Sequence, residues 1–130
     1  MKPVDYEEMR QVASLCMHLV DAKEWERLGE VFMEDAIYDG RQTITGKVAH
    51  GVSEIVELWS GLRMGVHSST DFVITRYSPD DDAAESVSKW ASKQFDGRLN
   101  TGRYVDVWKR TRKGWRIAHR INIVMQPDGE

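Results

Sequence analysis

The first half of the chain repeats its apolar residues at helical spacing, and this pattern predicts three helices. The first is expected over residues 5–21, because apolar positions recur there every three or four residues after an Asp-x-x-Glu sequence of the capping-box type. A second, shorter helix is expected over residues 25–32. A third is expected over residues 55–62, where Ile, Leu, Trp and Leu have the i, i+3, i+4, i+7 spacing of one buried face.

After the third helix the period changes from helical to alternating, which predicts strands. They are expected over residues 66–77, 84–95, 101–109 and 115–124, separated by short turns rich in Pro, Asp, Gly and Asn. Long strands joined by short turns form an antiparallel meander. We therefore predict an α+β domain in which three N-terminal helices, with a short strand over residues 36–39, pack in a strongly curved antiparallel sheet around one pocket.

Size and composition are those of an ordinary globular protein. The 130 residues, 41% hydrophobic and 30% charged, suit one domain over residues 1–130. The net charge of −3 argues against a nucleic-acid partner, and no apolar run approaches the ~18 residues of a membrane span. Cys16 is the single cysteine, which fits a reducing cytoplasm. Residues 126–130 are expected to be a frayed tail.

Two pairs of segments resemble parts of SnoaL-like domains. VDAKEW (residues 20–25) followed by FMEDAIY (residues 32–38) is similar to their helix-to-strand signature. GRYVDVW (residues 102–108) with GWRIAHR (residues 114–120) resembles their last hairpin. The resemblance covers nearly the whole chain and implies the cone-shaped α+β barrel of the nuclear-transport-factor-like superfamily. That fold supports many different functions, from ring cyclases to plain binding modules.

The site pattern is partly similar to that of scytalone dehydratase-like and bile-acid dehydratase-like lyases. Asp21 before the KEW triplet matches an aspartate before a Lys-Asp-Trp triplet in the former enzymes, and His67 matches the histidine that begins their strand after the third helix. Val20 replaces their tyrosine, and residues 88–91 contain no counterpart of their second histidine. The resemblance therefore implies their mechanism only in part.

Asp21, His67 and Tyr104 are the predicted catalytic residues. A carboxylate beside an imidazole fixes its tautomer and raises its basicity, so Asp21 and His67 could serve as base and acid next to a carbonyl group. Tyr104 is expected to donate its phenol to a substrate oxygen. The alternative interpretation is structural: Asp21 caps the second helix and His67 bonds to the backbone.

A strand face of small polar residues with one tryptophan predicts a pocket wall, since it suits a ligand ring. The alternative is that this face meets solvent. The face consists of Ser86, Ser88, Trp90, Ser92 and Gln94. The predicted substrate-binding residues are Tyr38, Trp59, Trp90, Asp106 and Arg120, although Asp106 and Arg120 could instead form an ion pair across adjacent strands.

No metal site or cofactor is expected. The sequence has no Gly-x-Ser-x-Gly elbow, no Gly-rich phosphate loop and no dinucleotide fingerprint. His18 lies one helical turn before Asp21, but this spacing alone is weak evidence for a metal.

Two functions remain open on the sequence. The first is a cofactor-independent lyase, isomerase or cyclase, of the dehydratase kind, acting on a small hydrophobic ring compound by proton transfer. The second is a non-catalytic ligand-binding or dimerisation module. A homodimer is expected in either case, because the outer sheet face is predicted to be apolar. Its predicted residues are Val105, Val107, Trp108, Ile121 and Ile123.

Overall fold

The computed structural model describes residues 1–125 and has the predicted α+β architecture. The predicted tail over residues 126–130 lies outside the described residues. None of the described helices is long and apolar enough to cross a membrane. In chain order the elements are α1 (Pro3–Asp21), a 3₁₀ helix (Trp25–Glu30), β1 (Phe32–Gln42), β2 (Lys47–His50), α2 (Gly51–Ser60), β3 (Val66–Ser78), a second 3₁₀ helix (Pro79–Asp81), β4 (Ala83–Lys93), β5 (Leu99–Thr111) and β6 (Gly114–Met125).

Six strands within the described residues form one open sheet in the order β2-β1-β6-β5-β4-β3. Strands β3 to β6 form the predicted antiparallel meander, but β1 is parallel to β6, with Tyr38 opposite Arg120, so the sheet is mixed. The prediction of a purely antiparallel sheet was wrong for β1. The pattern of residues 36–39 predicts a strand but does not indicate which strand it pairs with. β1 pairs with β6, the last strand of the chain. This pairing begins at the hydrogen bond from the Ile117 N–H to the Val31 carbonyl (2.8 Å).

The predicted second helix is only a 3₁₀ turn, and Phe32 already belongs to β1. Val31 and Phe32 are at most 1% exposed, so the apolar spacing reflects a chain that passes directly from a short helix into a buried strand. The third predicted helix is α2, which ends at Ser60 and is followed by Leu62 in a turn.

The start of α1 is tied to the β5–β6 hairpin. The predicted capping box is wrong: Lys2 is the N-cap residue, and it makes no side-chain cap bond. Asp5 and Glu8 instead accept hydrogen bonds from Trp115. The indole N–H donates to Asp5 Oδ1 (3.1 Å), and the backbone N–H donates to Glu8 Oε1 (2.7 Å). Arg110 Nη2 also lies 3.1 Å from Asp5 Oδ1, so a long-range contact replaces the local cap.

The core fills the space between the helices and the concave face of the sheet. α1 packs on β3 and β6, and α2 packs on β1. Trp108 is fully buried in this core, where its indole N–H donates to Ser86 Oγ (2.8 Å). Its assignment to the outer face was therefore wrong, since period-two alternation places it on the same face as Tyr104 and Asp106.

The outer face of the sheet keeps partly exposed aliphatic residues along β5 and β6. The homodimer stays a prediction, which a strictly monomeric sedimentation profile would contradict. The residues concerned are Val105, Val107, Ile121 and Ile123.

Replacing Asp5 by Ala removes the acceptor of both Trp115 and Arg110. We expect the free energy of unfolding to fall by about 1–3 kcal/mol at pH 7, measured by urea unfolding. The Trp115 indole N–H holds the pKa of the Asp5 carboxyl below its ordinary value of 3.8. The ionised carboxylate therefore stabilises the fold fully at pH values above 3.8. The difference in unfolding free energy between Asp5→Ala and wild type should shrink as the pH falls through the lowered pKa.

The matched control is Asp80→Ala, which removes an exposed aspartate from the Pro79–Asp81 helix. It should leave the urea midpoint unchanged. If Asp5→Ala unfolded at the same midpoint as Asp80→Ala, the contact between α1 and the hairpin would have no stabilising role.

Candidate active site

One cavity of about 370 Å³ lies between the helices and the inner face of the sheet. Its size is in the range of small-molecule sites. Its walls combine aromatic rings with a few hydroxyl and amide groups. The residues that line its interior include Met17, Val20, Tyr38, Trp59, His67, Trp90, Ser92, Tyr104, Asn122 and Val124.

Asp21 and His67 are brought together across 46 residues of sequence at the end of α1 and the start of β3. Asp21 Oδ1 lies 2.7 Å from His67 Nδ1, and Asp21 Oδ2 accepts the backbone N–H of His67 at 3.0 Å. An ionised carboxylate can only accept, so Nδ1 carries the proton and Nε2 carries the free lone pair. His67 lines the cavity and Asp21 does not, so Asp21 acts on the cavity through the imidazole.

Asp21 is available to His67 because α1 ends there in a tight backbone cap. Lys23 takes the left-handed conformation (φ 57°), its N–H donates to the Val20 carbonyl at 3.1 Å, and the Glu24 N–H donates to the Leu19 carbonyl at 2.9 Å. This is the hydrogen-bond pattern of a Schellman motif. The Trp25–Glu30 helix receives no side-chain cap bond at its N-cap residue, so Asp21 does not cap a second helix.

Tyr104 presents its phenol to the cavity from the middle of β5. The residue is 7% exposed and lines the cavity. Burial raises the pKa of Tyr104 well above its usual value, so the phenol stays protonated and can donate. Its ring lies on the guanidinium of Arg120, whose Cζ is 3.7 Å from the ring centroid.

Asp106 and Arg120 form a buried ion pair beneath Tyr104. Arg120 Nε and Nη2 donate to the two Asp106 oxygens at 2.8 and 2.9 Å, and both residues are at most 1% exposed. Neither residue lines the cavity. This corrects the prediction that Asp106 and Arg120 bind substrate. Their charges neutralise each other in the core, as the alternative of a structural ion pair predicts.

A hydrogen-bonded chain of side chains crosses the cavity wall. The Trp90 indole N–H donates to Asn122 Oδ1 (2.7 Å), and Asn122 Nδ2 donates to the Tyr38 hydroxyl (2.9 Å). The Trp59 ring meets Tyr38 edge-on, with centroids 5.1 Å apart. Trp90 lies flat over Gly102, where a Cβ atom would come within 2.4 Å of the indole ring. Together these contacts fix the aromatic wall in one orientation.

Asn122 was missed by the sequence reasoning. It shares the inward face of β6 with Arg120 and Val124, and an amide among the aliphatic residues that end the strand was the signal that could have identified it. The predicted polar face of β4 does turn inward, since Ser86, Ser88 and Trp90 are at most 7% exposed.

The mouth of the cavity was also absent from the sequence reasoning. Ile44 lies in the β1–β2 loop, is 99% exposed and reaches the rim. Arg63, just after α2, lies at the rim with its guanidinium 3.8 Å from the Phe95 ring centroid. These loop residues have no periodicity that would place them at a site.

No group of three His, Cys, Asp or Glu residues that could hold a metal ion occurs within residues 1–125. His18, the residue considered for such a group, lies on an exposed face of α1 beside Glu8, Gln11 and Leu15.

Residues 4–121 match the family described as the SnoaL-like domain. A candidate aromatic ring hydroxylase from Novosphingobium aromaticivorans is 26% identical, with 98% of this chain and 94% of that chain covered and a TM-score of 0.80. No curated protein is significantly similar in sequence.

Two further solved structures from the same organism share the fold. An NTF2-like protein with a cystatin-like fold is 21% identical, covering 95% of this chain and 84% of that chain, with a TM-score of 0.79. A candidate scytalone dehydratase is 17% identical, covering 95% and 85%, with a TM-score of 0.74. These similarities confirm the predicted fold.

The Asp106–Arg120 pair yields a stability prediction. Asp106→Asn leaves the guanidinium without its counter-charge in the core, so we expect the free energy of unfolding to fall by about 3–5 kcal/mol in a urea titration. The double variant Asp106→Leu/Arg120→Met removes both charges and should lose less than Asp106→Asn alone.

The matched control is Arg98→Gln, which breaks an exposed pair with Asp96 at a similar distance of 2.7 Å. Exposed pairs contribute little, so its urea midpoint should stay at the wild-type value. A double variant less stable than Asp106→Asn would show that the pair stabilises the fold beyond mutual charge neutralisation.

Proposed function

Because this chain belongs to the SnoaL-like domain family, we propose that it is an enzyme that carries out cofactor-independent proton transfer on a small hydrophobic ring compound. The reaction class is that of a lyase, isomerase or cyclase. The observation that carries the proposal is the imidazole of His67, held by Asp21 at 2.7 Å on the wall of an aromatic cavity.

His67 is the general base and later the general acid. Its Nε2 lone pair removes the proton on the carbon next to a substrate carbonyl, which leaves an enolate and an imidazolium. Asp21 is a positioning residue: it holds Nδ1–H, sets the tautomer and stabilises the imidazolium charge. The backbone N–H of His67 donates to the same carboxylate, so ring and backbone are held together.

Tyr104 stabilises the enolate. Its phenol donates to the substrate oxygen, where negative charge develops, and its burial keeps water from competing for that hydrogen bond. The ring cannot turn away easily, since the Arg120 guanidinium lies against one face. A base on β3 and a donor on β5 thus act on the same cavity.

The substrate then determines which reaction follows proton removal. A hydroxyl group on the β carbon leaves as water after protonation by the His67 imidazolium, which is a dehydration. A neighbouring double bond instead takes the proton at its far end, which is an isomerisation. A second carbonyl in reach is attacked by the enolate carbon, which forms a carbon–carbon bond and closes a ring, and its oxygen takes the proton from the His67 imidazolium. All three share the first step, so a test of that step covers them together.

The first test measures α-proton exchange of 2-tetralone, a bicyclic ketone, in D₂O by proton NMR. Wild-type protein should accelerate exchange above the buffer rate. His67→Gln should lower the protein-dependent rate by about 100-fold or more, since general base catalysis typically contributes 10²–10⁴-fold. Asp21→Asn should lower the rate with little change in the Kd for 2-tetralone, because Asp21 contacts the imidazole and not the ligand.

The control variant is His50→Gln, which changes an exposed histidine outside the cavity and should exchange at the wild-type rate. If wild-type protein binds 2-tetralone without accelerating exchange, or if His67→Gln exchanges as fast as wild type, the enzymatic proposal fails. The alternative of a non-catalytic binding module would then account better for the cavity.

A second test concerns the donor. Tyr104→Phe removes one hydroxyl and keeps the ring on Arg120, so the fold and the cavity walls are retained. We expect the exchange rate to fall by about 100-fold, the loss typical of one oxyanion donor, while the Kd for 2-tetralone changes little. An unchanged rate would remove Tyr104 from the mechanism and leave the roles of His67 and Asp21 intact.

A further inference from the structure

The ionisable side chains on the cavity wall are cationic or neutral. Among the described residues that line the cavity, none carries a carboxylate, and only Arg63 and His67 can carry positive charge. His67 is already matched by Asp21. The guanidinium of Arg63 is therefore the unbalanced charge of the site, in a chain whose net charge is −3.

Arg63 has an aromatic neighbour but no counter-ion within the described residues. Its guanidinium stacks on the Phe95 ring at 3.8 Å, which occupies a flat face and leaves the N–H edges free. Within residues 1–125 it forms no salt bridge. Some exposed arginines are paired, such as Arg10 with Glu7 at 2.6 Å and Arg98 with Asp96 at 2.7 Å. Arg103 and Arg112 also form no salt bridge within residues 1–125, but they do not line the cavity, so Arg63 is distinguished by its position at the site.

Neutral polar groups lie beside Arg63 on the rim. Gln94 and Asn100 both line the cavity, and their amides can donate to a ligand oxygen. The Gln94 amide already donates to Ser92 Oγ, which directs it along the β4 wall. The rim thus combines one delocalised cation with amide donors, which suits a planar carboxylate.

The deep end of the cavity has the opposite character. Tyr104 and Asn122 offer neutral groups there, and the nearby Arg120 charge is balanced by Asp106. A buried anion at that end would have no free cation within the described residues. A charged ligand group is therefore stable only at the mouth, with the ring pointing inward.

We propose that the substrate is a ring compound bearing an anionic group, a carboxylate by preference, which Arg63 binds at the mouth of the cavity. This inference rests on the proposed function, since it names the substrate class of the same site. It also sets the orientation: the carboxylate lies at Arg63, the ring lies against Trp90 and Trp59, and the reacting carbonyl faces Tyr104.

The test compares two probes of nearly equal shape, 2-naphthoate and 2-naphthamide, by isothermal titration calorimetry. Wild-type protein should bind the carboxylate about tenfold more tightly than the amide, and this preference should weaken with added salt. Arg63→Gln should remove the preference by weakening naphthoate binding about tenfold, while naphthamide affinity stays within about twofold. Arg63→Lys keeps the charge and should restore part of the preference.

The control variant is Arg76→Gln, which removes an equal charge from the exposed part of β3, outside the cavity. It should keep the full carboxylate preference, because the effect is local and not one of net charge. Equal binding of the two probes by wild type would overturn the proposal. A preference that persists in Arg63→Gln would overturn it too, as would the failure of both probes to bind.

The two proposals can fail separately. The neutral ketone 2-tetralone has no anionic group for Arg63 to bind, so its α-proton exchange in wild-type protein tests proton transfer without the carboxylate. Loss of the carboxylate preference alone would overturn the anionic substrate and leave proton transfer standing. Absence of exchange in wild type, together with an Arg63-dependent preference for naphthoate, would instead indicate a binding protein for anionic ring compounds.

Discussion

The buried ion pair between Asp106 and Arg120 is the interaction on which the centre of the molecule depends. It joins β5 to β6 with two hydrogen bonds of 2.8 and 2.9 Å where both side chains are shielded from water. Arg120 then supports the Tyr104 ring on one side and lies 3.8 Å from the Cys16 sulfur of α1 on another. One charged pair thus contacts two strands, the main helix and the Tyr104 ring that borders the cavity, and the two buried charges neutralise each other.

The cavity above this pair is ordered by polarity from floor to mouth. Neutral donors lie at the floor, aromatic rings form the walls, and a guanidinium lies at the rim. His67 enters from the side, held by the last residue of α1. In the proposed reaction, such a gradient orients the substrate by its polar ends while the rings exclude water. Proton transfer needs this arrangement, because base and donor must meet the same ligand in one pose.

Several cavity residues were predicted from the sequence, but the same sequence patterns also predicted a local structural role for some of them. Asp21 and His67 were predicted as a pair, yet the same aspartate opens an Asp-x-x-Glu sequence that equally predicts a helix cap. Asp5 and Glu8 have the same spacing and in fact bind Trp115, about 110 residues away. For such an aspartate, capping a helix and hydrogen-bonding to a distant residue stabilise the protein by similar amounts, each on the order of 1 kcal/mol. Only the assembled fold decides between them.

The sequence by itself determined the α+β class and the order of α1, α2 and the four meander strands, because these follow from periodicity along a single segment. The tertiary structure alone decided that β1 runs parallel to β6, that Asp106 and Arg120 lie under the cavity, and that Asn122 and Arg63 border it. Those properties depend on distances between segments far apart in the chain. Such distances are set when α1 packs on β3 and β6, and no local sequence pattern predicts them.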